Sequence, residues 1–219
     1  MPKYYIEEYA EILKGKRVFI ACREGILRDH FKEIIEDIKF LNRLAVVTTF
    51  FHNLSNRFAN QRHFAELGAR LPETRIVRVP SDVDFYEFVL TFETPVYKII
   101  FLERKPIVDA KGNRINALNT IRARSEFQSF EDVIANPNFK GIMAQICDRI
   151  YMEDVERVHI LPAGKNTIKQ ELFTIEGSGT LIADNFEEEF RCAETEDDIS
   201  LVMGILKLYR GGGFLKPRS

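Results

Sequence analysis

The sequence predicts an α/β fold, a three-layer αβα sandwich around a mainly parallel sheet, with an additional N-terminal helix. Apolar runs of strand length alternate along the chain with segments whose apolar residues recur at helical spacing. Strands that alternate with helices form parallel sheets whose faces the helices cover. The 219 residues, 45% of them hydrophobic and 29% charged, are enough for one substantial core.

The first half of the chain contains three predicted strands. Tyr5, Tyr9 and Ile12 recur at helical spacing, and Gly15 ends the N-terminal helix that they define. The run after it is apolar and of strand length, as expected for a buried strand. In order, we expect a helix over 4–13, a strand over 17–22, a helix over 26–41, a strand over 44–51, a helix over 54–67 closed by Gly68, a strand over 75–79 and a helix over 82–92.

The second half continues the alternation. Turn residues over 109–113 predict a hairpin, and Thr195 with Asp198 forms a capping box for a last helix. This gives an N-terminal helix over 1–14, a domain over 15–210 and a linker-like tail over 211–219. The expected elements are a strand over 97–102, a hairpin over 106–116, helices over 129–135 and 140–153, a strand over 157–161, a helix over 166–173, a strand over 180–183 and a helix over 195–209.

Composition excludes several classes of function. A net charge of −2 argues against a broad nucleic-acid surface, and no apolar run reaches the roughly 20 residues of a membrane span. Cys22, Cys147 and Cys192 lie far apart without paired spacing, and the start of the chain lacks a signal-peptide pattern. His30 and His63, on predicted helices, show no metal-ligand spacing to each other. We therefore expect a cytoplasmic protein without nucleic-acid, membrane or metal partners.

The segment from Glu171 to Thr180 is the most informative in the chain. Gly177 and Gly179 permit positive φ, so successive N–H groups there can converge on an anion. The carboxylate of Glu171 could hold a guanidinium or ammonium group at the other end of the same ligand. This arrangement suits a free amino acid, especially a basic one. The alternative is a tight loop whose glycines meet only a steric requirement.

Four short motifs resemble the C-terminal signature of acetylglutamate kinases and N-acetylglutamate synthases. They are His159-Ile160, Lys165-Asn166-Thr167, Glu171-Leu172-Phe173-Thr174 and Gly177-Ser178-Gly179-Thr180. The earlier order of elements is similar too, so the resemblance implies the amino acid kinase fold.

The phosphate-binding motifs of that family are altered here. The family's Lys-x-Gly-Gly turn reads Ala21-Cys22-Arg23-Glu24-Gly25, and its second glycine-rich loop reads His52-Asn53-Leu54-Ser55-Asn56. The segment 141–146 lacks the expected lysine. Phosphoryl transfer needs clustered positive charge, so the resemblance implies a catalytically degenerate domain. ATP and Mg²⁺ are cofactors only if a divergent acetylglutamate kinase uses Arg23 or Lys16 on the phosphates; Arg23 and His52 are then the candidate catalytic residues.

In arginine-sensitive members, the surviving signature lies at an allosteric arginine site. The resemblance implies that Glu171 pairs with the guanidinium group and that the backbone of Gly177, Ser178, Gly179 and Thr180 receives the α-carboxylate. Tyr9 and the N-terminal helix would cover this site. The expected partners are L-arginine or an acetylated amino acid, further copies of the chain, and a fused or separate acetyltransferase of arginine biosynthesis. A third hypothesis is an oligomerisation scaffold that binds no ligand.

Overall fold

The computed structural model describes residues 9–61, 64, 66–109, 111–120, 141–174, 177–184, 200 and 203. The chain divides into two compact units, Met1–Phe186 and Glu187–Ser219. All described residues belong to the first unit except 200 and 203, which are both helical. The predicted helix over 129–135 and the tail over 211–219 lie outside the described residues.

The described part of the first unit contains one seven-stranded sheet with the order β3-β2-β1-β4-β6-β7-β5. Every neighbouring pair is parallel except β6 and β7, which are antiparallel. The predicted α/β class and mainly parallel sheet are confirmed. The strands are β1 (Arg17–Cys22), β2 (Val47–His52), β3 (Arg75–Arg78), β4 (Val96–Glu103), β5 (Ala117–Asn119), β6 (Val155–Pro162) and β7 (Thr180–Ala183).

Residues 9–13 are helical, and seven further helices are described in the first unit. Asp84 begins one of them as an N-cap, since its carboxylate accepts the backbone N–H groups of Tyr86 and Glu87, both at 2.9 Å. The helices are α1 (Glu24–Asp29), α2 (Phe31–Arg43), α3 (Asn56–Ala59), α4 (Leu67–Arg70), α5 (Phe85–Thr91), α6 (Met143–Tyr151) and α7 (Thr167–Phe173).

Two predicted helices are wrong in extent. The helix expected over 26–41 is interrupted at His30, whose φ of −125° and ψ of 29° are not helical. Periodicity could not show the break, because the buried residues of α1 and α2 continue one 3.6-residue repeat. In place of one helix over 54–67, the structure has α3, which ends at Ala59, and α4, which begins at Leu67. Gly68 lies inside α4 and does not end a helix.

The hydrophobic core lies on both faces of the sheet. Phe19 and Phe101 point to one face, where they pack with buried residues of α5 and α6. Val18 and Ile100 point to the other, where they pack with buried residues of α1, α2 and α7. This division follows from the alternation of side chains along a strand.

Three helix-to-strand connections each contain a residue with positive φ at the same place. Gly15, Ala45 and Glu153 have φ values of 71°, 56° and 60°, and each lies two residues before a strand. This is the left-handed residue that commonly ends a helix and that favours glycine. The backbone therefore requires positive φ at three such positions, but the sequence places glycine at only one of them.

We expect Ala45→Gly to raise the free energy of unfolding by about 0.5–1 kcal/mol. The left-handed conformation costs a residue with a Cβ atom about 1–2 kcal/mol, and this relief exceeds the added entropy of the unfolded chain. Ala45 is exposed, so the change removes no core contact. Urea unfolding measures the effect. Ala144→Gly, within α6, is the matched control and should lose about 1 kcal/mol; an equal loss in both variants would contradict the prediction.

Candidate functional site

The glycine turn after α7 does bind an anion, and the anion is the Glu171 side chain. Glu171 Oε2 accepts hydrogen bonds from the backbone N–H groups of Ser178 at 2.7 Å and Gly179 at 3.0 Å. The Glu171 side chain is only 5% exposed. From the sequence, we expect the Glu171 carboxylate and the turn amides to bind opposite ends of a ligand. In the structure they are hydrogen-bonded to each other. A ligand that used the turn amides would have to displace this carboxylate.

Both glycines of the turn also meet a steric requirement. Gly177 has a φ of 58°, and a Cβ atom there would lie 2.8 Å from Glu171 Oε2. A Cβ atom on Gly179 would lie 2.2 Å from the backbone oxygen of Ile160, within β6. The turn therefore packs directly on the sheet. Thr180 follows as the first residue of β7, and its hydroxyl donates to the backbone oxygen of Ile115 at 2.6 Å.

Beneath the turn, Glu171, His159 and Lys98 form a buried cluster of polar side chains, which we call the Glu171 cluster. His159 Nδ1 lies 2.8 Å from Glu171 Oε1, and Lys98 Nζ lies 3.5 Å from His159 Nε2. His159 is 4% exposed and Lys98 is fully buried. Because Lys98 and His159 come from the adjacent strands β4 and β6, the parallel sheet fixes their separation. This places an amine, an imidazole and a carboxylate in line within the core.

The pKa shifts of these groups define their charge states. Burial raises the pKa of Glu171, but the hydrogen bonds from His159, Ser178 and Gly179 outweigh it and hold the pKa at about 2. Burial lowers the pKa of His159, although its bond to Glu171 opposes this. Burial, with the nearby charge of Arg157, lowers the pKa of Lys98 to about 7. At neutral pH Glu171 is therefore an anion, and a neutral His159 donates its Nδ1–H to it.

Tyr9 places the N-terminal helix beside this cluster. Its ring meets the ring of Phe173 edge-on, with centroids 5.5 Å apart. Burial raises the pKa of its hydroxyl, and the charges of Arg157, Glu156 and Glu171 also act on it. The ring of Tyr9 thus lies close both to α7 and to the charged residues at the beginning of β6.

A cavity of about 680 Å³ opens at the beginning of β6. Two of its lining residues adjoin the buried cluster through the sheet: Leu181 is the register partner of His159, and Arg157 that of Lys98. Its charged lining residues are Glu153, Glu156, Arg157 and Asp184. Arg157 Nε lies 3.6 Å from Glu156 Oε1, and the two side chains are 41% and 52% exposed. The cavity therefore offers three carboxylates and one guanidinium to a small ligand.

Arg23 lies away from this cavity, just after the carboxyl end of β1, and is already paired. Its Nη2 atom is 3.5 Å from Glu103 Oε2, and the hydroxyl of Tyr86 donates to Glu103 Oε1 at 2.5 Å. Glu103 is 3% exposed. Burial raises its pKa, although the bonds from Tyr86 and Arg23 oppose the rise. The structure thus uses Arg23 to neutralise a buried carboxylate.

The loops after β1 and β2 are joined by two hydrogen bonds. Asn53 Oδ1 accepts the backbone N–H of Glu24 at 2.7 Å, and Glu24 Oε2 accepts that of Ser55 at 2.6 Å. His52 Nδ1 accepts the N–H of Leu54 at 3.2 Å, and burial with the charge of Arg78 lowers the pKa of His52 to about 4. His52 is therefore a neutral acceptor that shapes the loop. The structure does not bring Arg23 and His52 to the Glu171 cluster.

Sequence reasoning did not identify Lys98. The available signal was one lysine within the otherwise apolar run Val96–Leu102, where a charged residue in a buried strand needs a partner. Within the described ranges, no group of three or more His, Cys, Asp or Glu side chains is placed to hold a metal ion. The same residues include no helix with the length and hydrophobicity needed to cross a bilayer.

The described fold is that of an α/β protein with a seven-stranded, mainly parallel sheet whose polar cluster lies between β4, β6 and α7. A solved structure with a similar fold is N-acetylglutamate synthase from Neisseria gonorrhoeae, crystallised with coenzyme A and N-acetylglutamate. The TM-score is 0.65 and the identity 14%, over 99% of this chain and 70% of that one. At this identity the likeness shows the fold alone. No protein-family model matches the sequence, and a search of curated proteins finds no match.

Proposed function

We propose that this chain is a catalytically degenerate amino acid kinase-like domain, a three-layer αβα sandwich, of an N-acetylglutamate synthase-like protein, and that it senses L-arginine. The observation that carries the proposal is the cavity at the beginning of β6. It offers charges of both signs and adjoins the buried Glu171 cluster. A zwitterion with a cationic side chain needs this combination.

The ligand's guanidinium group lies among the cavity carboxylates Glu153, Glu156 and Asp184. Glu171 adds a fixed negative charge behind them, held in place by the Ser178 and Gly179 amides. Those amides already donate to Glu171, so in this proposal Arg157 receives the α-carboxylate in their place. Leu181 and Ala183 of β7, the strand that follows the glycine turn, line the site, and Tyr9 covers it.

The loops at the carboxyl edge of the sheet support the degenerate assignment. A kinase needs backbone amides and cations that are open to phosphate oxygens. Here the amides of Glu24 and Ser55 donate to Asn53 and Glu24, and Arg23 pairs with Glu103. Assembly into a homo-oligomer and a fused or separate acetyltransferase complete the proposal.

Thermal unfolding with three related ligands tests the binding of L-arginine. A ligand that binds only the folded state at about 100 times its Kd stabilises by about 2.7 kcal/mol, which corresponds to a rise of several degrees in Tm. L-Arginine should give this shift. L-Citrulline, which lacks the guanidinium charge, and agmatine, which lacks the carboxylate, should each give much less. No shift with millimolar arginine in a cooperatively folded sample would contradict the proposal.

Variants locate the site. Glu156→Gln and Arg157→Gln should each reduce the arginine shift, because each removes one charge from the cavity. Arg75→Gln is the matched control: Arg75 is also an exposed strand arginine, but it lies in the edge strand β3, with three strands between β3 and β6 in the sheet order, and pairs with Glu93 at 2.6 Å. It should leave the shift unchanged. If Arg157→Gln and Arg75→Gln reduced the arginine shift equally, the result would contradict binding of arginine in this cavity.

A further inference from the structure

Helix α7 begins without a capping side chain of its own. Asn166, at its N-cap, has a left-handed backbone with a φ of 57° and makes no side-chain cap hydrogen bond. The missing acceptor comes from α2, 131 positions earlier in the chain: Asp37 Oδ2 accepts the backbone N–H of Ile168 at 3.0 Å. Asp37 is 4% exposed. A buried carboxylate of one helix thus caps the first turn of another.

This cap acts on a helix that depends on its surroundings. Helix α7 has only seven residues, and an isolated helix of two turns is not stable in water. Glu171 lies one turn after Ile168, so whatever fixes the first turn also fixes the position of the Glu171 carboxylate. The buried residues Leu172 and Phe173 anchor the other end against the core.

We infer that Asp37 is a positioning residue for the Glu171 cluster: by capping α7 it holds the Glu171 carboxylate in contact with His159 and the turn amides, and so couples α2 to the proposed ligand site. The functional part of this inference rests on the proposed function, whereas its structural part does not. Asp37 is not among the residues that line the cavity.

The imidazole of His159 reports the position of Glu171 directly. The chain has four histidines, so NMR spectra of protein with ¹⁵N-labelled histidine rings can be assigned with His159→Gln as the reference. The wild type should show one fixed His159 tautomer, with the proton on Nδ1. Asp37→Ala should shift these signals towards a mixture of tautomers, and Asp37→Asn, which keeps an acceptor for Ile168 N–H, should restore most of the wild-type spectrum.

Arginine affinity provides the second readout. Loss of a helix cap corresponds to about a tenfold change in an equilibrium constant, so Asp37→Ala should weaken binding by about that factor. Ile35→Ala is the matched control, because Ile35 is a buried residue of α2 that belongs to the core. It should lower stability while leaving the His159 signals and the arginine affinity unchanged. If Asp37→Ala does not fold, Asp37→Glu displaces the carboxylate by one methylene and should shift the same signals.

The two proposals fail separately. Unchanged His159 signals in both Asp37→Ala and Asp37→Glu would overturn the positioning role, whatever the ligand. A His159 shift equal to that of Ile35→Ala would overturn it too. A wild type that does not bind arginine would overturn the proposed function, while the His159 spectra would still decide the role of Asp37.

Discussion

Gly179→Ala should lower the free energy of unfolding by about 3 kcal/mol. The added Cβ atom would lie 2.2 Å from the backbone oxygen of Ile160 and 2.6 Å from a methyl carbon of Leu161. Ile160 belongs to the buried strand β6, so the obstacle is not a flexible side chain that can turn away. Overpacking of this kind typically costs 1–3 kcal/mol, and a contact with backbone falls at about the upper end of that range. Urea unfolding monitored by circular dichroism measures the loss.

Gly68→Ala is the matched control for this prediction. Gly68 lies inside α4, and no atom lies within 4 Å of the position that its Cβ atom would take. Alanine should therefore stabilise the chain by about 0.5–1 kcal/mol through its higher helix propensity. A small loss in both variants would contradict the close approach of the turn to β6.

Glu171→Gln should also lower the free energy of unfolding by about 3 kcal/mol at neutral pH. The carboxylate accepts on both oxygens, from His159 on one and from Ser178 and Gly179 on the other. A glutamine amide has one oxygen and one NH₂ group, so at least one of these buried donors would face another donor. An unsatisfied buried group costs about 1–3 kcal/mol, and more when the lost partner was charged.

The same substitution should change the pH dependence of stability. The pKa of Glu171 is about 2 in the folded chain, below its ordinary value of 4.5. Its contribution is therefore present above pH 4.5 and is lost as the pH falls from about 4.5 to about 2. Glu171→Gln should flatten the stability profile between about pH 5 and 3 relative to the wild type.

Glu93→Gln is the control for the charge effect. Glu93 is also an ion-paired glutamate, but its side chain is 49% exposed where it meets Arg75. Solvent screens an exposed pair of this kind, so it contributes little to stability. The variant should therefore unfold at nearly the same urea concentration as the wild type. A wild-type acid profile in Glu171→Gln would contradict the anionic state assigned to that residue.

Local pattern was sufficient to predict much of the sheet. The strands expected over 17–22 and 180–183 match β1 and β7, and the helix expected over 166–173 matches α7 to within one residue. These segments have strong apolar patterns and clear turn residues at their ends. The break at His30 escaped prediction because the apolar repeat passes through it without a change of phase.

The candidate site was predicted less completely, for a physical reason. The sequence showed that the amides near Gly177 and Gly179 could converge on an anion, which they do. The sequence could not show that the anion is the Glu171 side chain, which extends from α7 to the same amides. Lys98 and Asp37 were missed because their partners come from residues 61 and 131 positions away, beyond the range of any local pattern.

Isothermal titration calorimetry of the full chain with L-arginine tests the central claim most directly. The proposed site predicts saturable heat with one ligand per chain, little heat with L-citrulline, and weaker arginine binding in Arg157→Gln but not in Arg75→Gln. Absence of saturable heat at millimolar L-arginine, from a sample that unfolds cooperatively, would contradict the assignment of an arginine site beside Glu171.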